Sequence, residues 1–166
     1  MHQVIDNFLS ESEYAIIKNI TDSDDFPWFY IKNITEETVE NESAFVHTLV
    51  VKSQSNSIYA RAIMSIFKKN INIKETFRAK VNLYTRTDNL RIHNYHFDYD
   101  FDHMDNKIAI FYLNNNNGYT ELKDTAKIES KKNRLLLFDG NVEHRSTNCT
   151  DEKTRVNINI NYTENK

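Results

Sequence analysis

The chain has 166 residues and a formal net charge of -3, with 39% hydrophobic and 12% aromatic residues. That is the length of one compact domain and the composition of a globular one, which excludes a disordered chain and leaves room for a real core. The mild acidity counts against nucleic acid as a partner, because phosphate contacts need a basic stripe and only the pairs Lys68-Lys69 and Lys131-Lys132 occur.

Near the start, Ser10-Glu11-Ser12-Glu13 reads as a capping box, with Ser10 as N-cap and Glu13 reaching back to it. Tyr14, Ile17 and Ile20 follow at helical spacing and predict a helix of about three turns. Trp28 to Lys32 and Phe45 to Val51 are expected as edge strands. A second helix is expected over Ser55 to Asn70, with Tyr59, Ala62, Ile63, Ile66 and Phe67 on its apolar face.

From Phe77 the period changes to two. Phe77, Ala79, Val81 and Leu83 alternate with Arg78, Lys80, Asn82 and Tyr84, the pattern of a half-buried strand. Further strands are expected at Lys107 to Asn114, Tyr119 to Leu122, Ala126 to Glu129, Arg134 to Phe138 and Thr154 to Tyr162. Short strands at this spacing point to a sandwich or barrel with two helices packed on it.

His96-Phe97-Asp98 sets an imidazole and a carboxylate two residues apart, on one side of an extended segment. His144 is the best-placed third ligand. Two His and one carboxylate on one face leave coordination positions open, as in non-haem Fe(II) oxygenases. Asp98, Asp100 and Asp102 mimic the start of a calcium loop, but its Gly and Glu positions hold His103 and Ala109. Zinc stays open in principle, although no His-Glu-x-x-His spacing exists. His93 and His103 are expected to be solvated or to support the ligands from behind.

On the last strand Arg155, Asn157 and Asn159 share one face while Val156, Ile158 and Ile160 share the other. Polar residues facing one way in such a strand imply a wet or ligand-filled interior, where a guanidinium can grip a carboxylate through two parallel hydrogen bonds.

These residues stand in an order that resembles the prolyl-4-hydroxylase-like branch of the 2-oxoglutarate/Fe(II) dioxygenase superfamily, over Phe77 to Tyr162. Asn82-Leu83-Tyr84 is similar to the strand upstream of the family's His-x-Asp pair, and Ile110 to Asn114 resembles its "YLN" strand. Asn117 to Leu122 resembles the "GGET" turn and Asn133 to Phe138 the "GRALLF" strand, with His144 and Arg155 completing the order. The runs Asn82 to Thr87 and Asn116 to Thr120 also resemble phage-encoded members. The pattern departs from the family at Tyr119, which replaces a Gly, in a longer Tyr84–His96 loop, and in Arg rather than Lys as the anchor.

The resemblance implies a double-stranded β-helix, a jelly-roll or cupin-like barrel with two N-terminal helices packed on it. It would be one dioxygenase domain over 1–166, with a helical part to about residue 75 and a barrel core over about 77–162. It implies Fe(II) on His96, Asp98 and His144, with 2-oxoglutarate as co-substrate and O2 as oxidant. Tyr84 and Tyr112 would donate to 2-oxoglutarate, Arg155 would pair with its distal carboxylate, and Asn82 and Asn157 would line the same pocket. The expected reaction is hydroxylation of a protein or peptide side chain such as proline. A nucleic-acid base or small molecule as substrate stays open, as do a catalytically silent metal-binding module and a zinc or manganese enzyme on the same barrel. Substrate choice would reside in the loops Thr85 to Asn94 and Phe101 to Asn106. Cys149 as the only cysteine, no bilayer-length apolar run and no signal-peptide pattern in Met1 to Leu9 give the expectation of a cytoplasmic protein without a membrane partner.

Overall fold

Period-two alternation dominates the chain, and strands dominate the structure, a computed structural model that describes residues 1–34, 43–98 and 105–165. The first segment, β1 (His2–Ile5), leads into α1 (Glu11–Thr21), whose capping box forms in both directions: the Ser10 side chain accepts from Glu13 N–H, and the Glu13 carboxylate accepts from Ser10 N–H. Strands β2 (Phe29–Ile31), β3 (Ala44–Val51) and β4 (Gln54–Ser55) precede α2 (Ala60–Asn70). The second helix therefore starts five residues later than its apolar stripe predicts. Val50 and Val51 pair with Ser55 and Gln54, and Ser57 gives its hydroxyl to a bond with His47 Nε2, which takes this stretch out of the helix. Ala62 faces solvent, and Ala60 and Met64 join Ile63, Ile66 and Phe67 on the buried side.

The rest of the chain is β5 (Ile73–Thr85), β6 (Lys107–Tyr112), β7 (Tyr119–Leu122), β8 (Ala126–Glu129), β9 (Arg134–Asp139), β10 (His144–Ser146) and β11 (Thr154–Glu164). The large sheet runs β1-β9-β6-β11-β5-β3-β2, with β4 beside β3, and a small sheet runs β10-β7-β8; the pairings are antiparallel. Only β2 of the two expected edge strands lies at the edge, since β3 is covered by β5 on its other side.

Both helices pack on one face of the large sheet. Ile17, Ile63 and Phe67 meet Ala79, Val81, Phe111, Leu135, Ile158 and Ile160 there. A fully buried Ile or Phe side chain is worth about 1.5–3 kcal/mol relative to exposure, so this layer anchors the sheet. On the opposite face Ile108, Ile110, Tyr112, Leu136 and Phe138 pack with Leu122 and Ile128 of the small sheet. The space between the two sheets narrows into polar ground toward β11 and β5. Asn82 and Tyr84 are buried there, so β5 is covered on both faces at that end rather than half-buried. No described helix is long and apolar enough to cross a membrane.

Candidate metal centre

Two ligand-bearing segments are locked to each other by their backbones. His96 N–H donates to the His144 carbonyl at 2.9 Å, and His144 N–H donates back to His96 at 3.0 Å. The Nδ1 atoms of both rings lie near backbone carbonyls, of Asn94 at 3.2 Å and of Val142 at 3.3 Å. Those contacts leave the Nε2 atoms to face inward, the usual way a protein fixes the tautomer of a ligating imidazole. His144 also rests edge-on against Phe138, with ring centroids 5.0 Å apart.

Asp98 completes the cluster. Its carboxylate oxygens are 3.9 Å from His96 Nε2 and 4.0 Å from His144 Nε2, and one potential ligand atom from each residue fits within 4.8 Å of the others. Three side chains hold that carboxylate: Arg78 donates to Oδ1 at 2.7 Å, and Asn159 and Asn161 donate to Oδ2 at 2.7 and 3.1 Å. Burial alone would raise the Asp98 pKa, but His144, Arg78, Lys80 and His96 outweigh it and hold the carboxyl well below its usual range. Burial lowers the His96 pKa, with His144 adding to it and Asp98 opposing. A deprotonated carboxylate and a neutral imidazole are the forms a metal needs.

Arg155 lies on the same face of β11 as Asn157 and Asn159 and is 0% exposed. Its Nε donates to Ser130 Oγ at 2.9 Å, Nη1 to Ser146 Oγ at 2.6 Å and to the Thr147 carbonyl at 3.1 Å, and Nη2 to Thr120 Oγ1 at 3.1 Å. The rings of Tyr84 and Tyr112 flank it at 5.3 and 5.7 Å from Cζ. All these partners are neutral, and no carboxylate of the described residues pairs with it. Guanidinium stays protonated under any ordinary condition, so this is a buried cation without an anion.

The polar atoms around it are also underused. Tyr112 Oη and His93 Nδ1 are buried without a hydrogen-bond partner among the described residues. Burial raises the pKa of the Tyr84 and Tyr112 phenols, against the pull of Arg155, so both remain donors at neutral pH. Asn82 donates to Asn157 Oδ1 at 2.9 Å, which joins β5 to β11 across the same wall. Gly118 leaves space for the arginine stem: a Cβ there would lie 2.5 Å from Arg155 Cδ and 2.4 Å from the Asn148 carbonyl oxygen.

The structure thus gathers His96, Asp98 and His144 into one cluster and Arg155, Tyr84, Tyr112, Asn82 and Asn157 into a buried region on β5, β6 and β11. It adds Arg78 and Asn161, which the sequence pattern did not assign to the site. Asn161 continues the alternation of Arg155, Asn157 and Asn159, and that signal was available. Of the two expectations for His93, solvated or behind the ligands, burial excludes the first: its ring packs against Tyr84 with centroids 5.3 Å apart. His103, Asp100 and Asp102, with the first part of the Phe101–Asn106 loop, lie outside the described residues.

The arrangement of sheets and helices has counterparts among solved structures. The fold is that of the 2-oxoglutarate/Fe(II) oxygenases. The structure matches a 2OG-Fe(II) oxygenase-family oxidoreductase from Burkholderia pseudomallei with a TM-score of 0.70 at 10% identity, covering 99% of this chain and 86% of that one. It matches a prolyl hydroxylase from Trichoplax adhaerens, solved with a hypoxia inducible factor oxygen degradation domain peptide fragment, with a TM-score of 0.67 at 15% identity over 98% and 83%. It also matches HygX from Streptomyces hygroscopicus, solved with nickel and 2-oxoglutarate, with a TM-score of 0.61 at 9% identity over 98% and 82%. No family model matches the sequence, and no curated protein does. The oxygenase fold is therefore visible in three dimensions where sequence similarity is faint.

Proposed function

We propose that this chain is an Fe(II)- and 2-oxoglutarate-dependent dioxygenase that hydroxylates a C–H bond of a protein or peptide side chain, with proline the first target to try. In this reading the two sheets form the double-stranded β-helix of such enzymes, and His96, Asp98 and His144 hold the iron. One observation carries the reading: a fully buried guanidinium, Arg155, has no anion among the described residues and shares a strand face with groups that hold Asp98.

The residues fit the absent groups. Two inward Nε2 atoms and a carboxylate form the donor set that suits Fe(II) with positions left open. Arg155 and Asn159 stand four residues apart on one face of β11, about 13 Å at the rise of a strand. Tyr112 Oη, on a ring that flanks Arg155, and His93 Nδ1, on a ring packed against Tyr84, lack hydrogen-bond partners among the described residues, and a dicarboxylate's oxygens would supply them. Iron with 2-oxoglutarate and O2 would provide the oxidising chemistry, leaving succinate and carbon dioxide as by-products.

The work of this chain is then geometric and electrostatic. Arg155 receives the distal carboxylate, and the Tyr84 and Tyr112 phenols donate to its oxygens. Arg78, Asn159 and Asn161 fix the Asp98 carboxylate in the orientation that meets both imidazoles. The apolar wall of Ile110, Leu136 and Phe138 keeps bulk water from the cluster. The Trichoplax enzyme's peptide complex supports a peptide as substrate, and the net charge of -3 on this chain counts against a nucleic acid in its place.

A panel of proline-containing peptides, scored by mass for one added oxygen atom and by succinate release, tests the proposal. Peptide turnover dependent on both Fe(II) and 2-oxoglutarate is expected. Turnover confined to oligonucleotides, with none on peptides, would contradict it.

A further inference from the structure

The cluster contains more positive charge than its metal and co-substrate can use. Arg78 and Lys80 both lie on the site face of β5, beside Asn82 and Tyr84. Arg78 is committed to Asp98 Oδ1. Lys80 stands opposite Thr48 on β3 and opposite Asn159 on β11, whose side chain donates to Asp98. It interacts electrostatically with Asp98 and His96, yet among the described residues its ammonium makes no hydrogen bond or ion pair. The residue is partly exposed.

Charge balance makes the point sharper. With a divalent ion and a dianionic dicarboxylate bound, Asp98 and the dicarboxylate neutralise the ion and Arg155. Among the described residues Arg78 and Lys80 then remain as cations without a further anion, and unpaired charge away from bulk water is costly. Burial, with the Arg78 guanidinium beside it, lowers the Lys80 pKa, and only Asp98 opposes. An anion arriving from outside would favour the charged ammonium and relieve the excess.

We infer that Lys80 is a specificity-determining residue that pairs with a carboxylate of the substrate, so that the preferred peptide carries an acidic side chain next to the oxidised residue. The inference rests on the oxygenase reading and narrows its substrate class. A carboxylate rather than a phosphodiester is favoured because the chain as a whole is acidic, with a net charge of -3, and would repel a polyanion.

The test uses the full chain loaded with Zn(II) and 2-oxoglutarate, and reads binding by calorimetry. The probes are acetyl-Asp-Pro-Asp-amide, its Asn-Pro-Asn isostere and a thymidylate oligonucleotide. Wild-type protein is expected to favour the acidic peptide over its isostere about tenfold, the scale of one partly desolvated charge pair. Lys80→Met should abolish that preference and Lys80→Arg should keep it, the second variant standing in if the first does not fold. Equal binding of both peptides, no binding of the acidic one, a preference that survives in Lys80→Met, or tighter binding of the oligonucleotide would each overturn the inference. The same samples with Fe(II) under anaerobic conditions report the co-substrate site by visible absorption. A missing band with the peptide preference intact would count against the oxygenase reading alone.

Discussion

The backbones of His96 and His144 hold each other through a reciprocal pair of hydrogen bonds, 2.9 and 3.0 Å long. Segments far apart in the chain are thereby joined at the atoms next to the ligating side chains, and the imidazole centroids come to 4.6 Å. The site is built into the β framework before any ion arrives.

Asp98 depends on its donors. Replacing Asn159 with Leu removes the 2.7 Å bond to Oδ2 and leaves the carboxylate freer to rotate. Metal affinity should fall about ten- to hundredfold, the usual consequence of losing an outer partner of a ligand. Competition with a fluorescent chelator measures it, and Asp98→Ala should fall further.

Arg155→Lys keeps the charge but loses the planar fork that four neutral oxygens now position. Affinity for 2-oxoglutarate should drop about ten- to hundredfold, since charge-assisted hydrogen bonds are each worth about 1.5–3 kcal/mol. Zn(II) affinity should change far less. Titration of 2-oxoglutarate into metal-loaded protein separates the two effects.

Gly118→Ala would force a methyl group to within 2.4 Å of a backbone oxygen and 2.5 Å of the arginine stem. Overpacking of this kind costs about 1–3 kcal/mol. Denaturant melts should show that loss, and 2-oxoglutarate binding should weaken with it, because the guanidinium is displaced.

His93 makes stability depend on pH. Burial lowers its pKa from 6.5 to about 3, with Arg155 and His96 adding to the effect. Between these values the unfolded chain takes up a proton that the folded chain refuses. Stability from this residue is therefore complete above pH 6.5 and declines as the pH falls toward 3. Melts of metal-free protein from pH 7 to 4 should show the decline, and His93→Asn should make it shallower.

Much of this was legible in the sequence because strand alternation is a local property. Arg155, Asn157 and Asn159 announce a polar face, and His96-Phe97-Asp98 announces two ligands on one side of the chain. The capping box at Ser10 and Glu13 fixed the start of α1. What the sequence concealed depends on contacts across the fold. The start of α2 was obscured because the β3–β4 pairing and the His47–Ser57 bond override helix propensity between residues 55 and 59. Arg78 reads as the outward residue of a half-buried strand, and only its bond to Asp98 brings it into the cluster. His93 lies on a loop, and only its packing on Tyr84 assigns it to the interior. The pairing of β10 with β7, which carries His144 to the cluster, joins strands too short to show a period.

The central claim is tested most directly by adding Fe(II) and then 2-oxoglutarate to the protein without oxygen and recording the visible spectrum. The account predicts a weak charge-transfer band that saturates with 2-oxoglutarate, disappears in His144→Ala and weakens in Arg155→Lys. A protein that binds Fe(II) but gives no band at any 2-oxoglutarate concentration would contradict it.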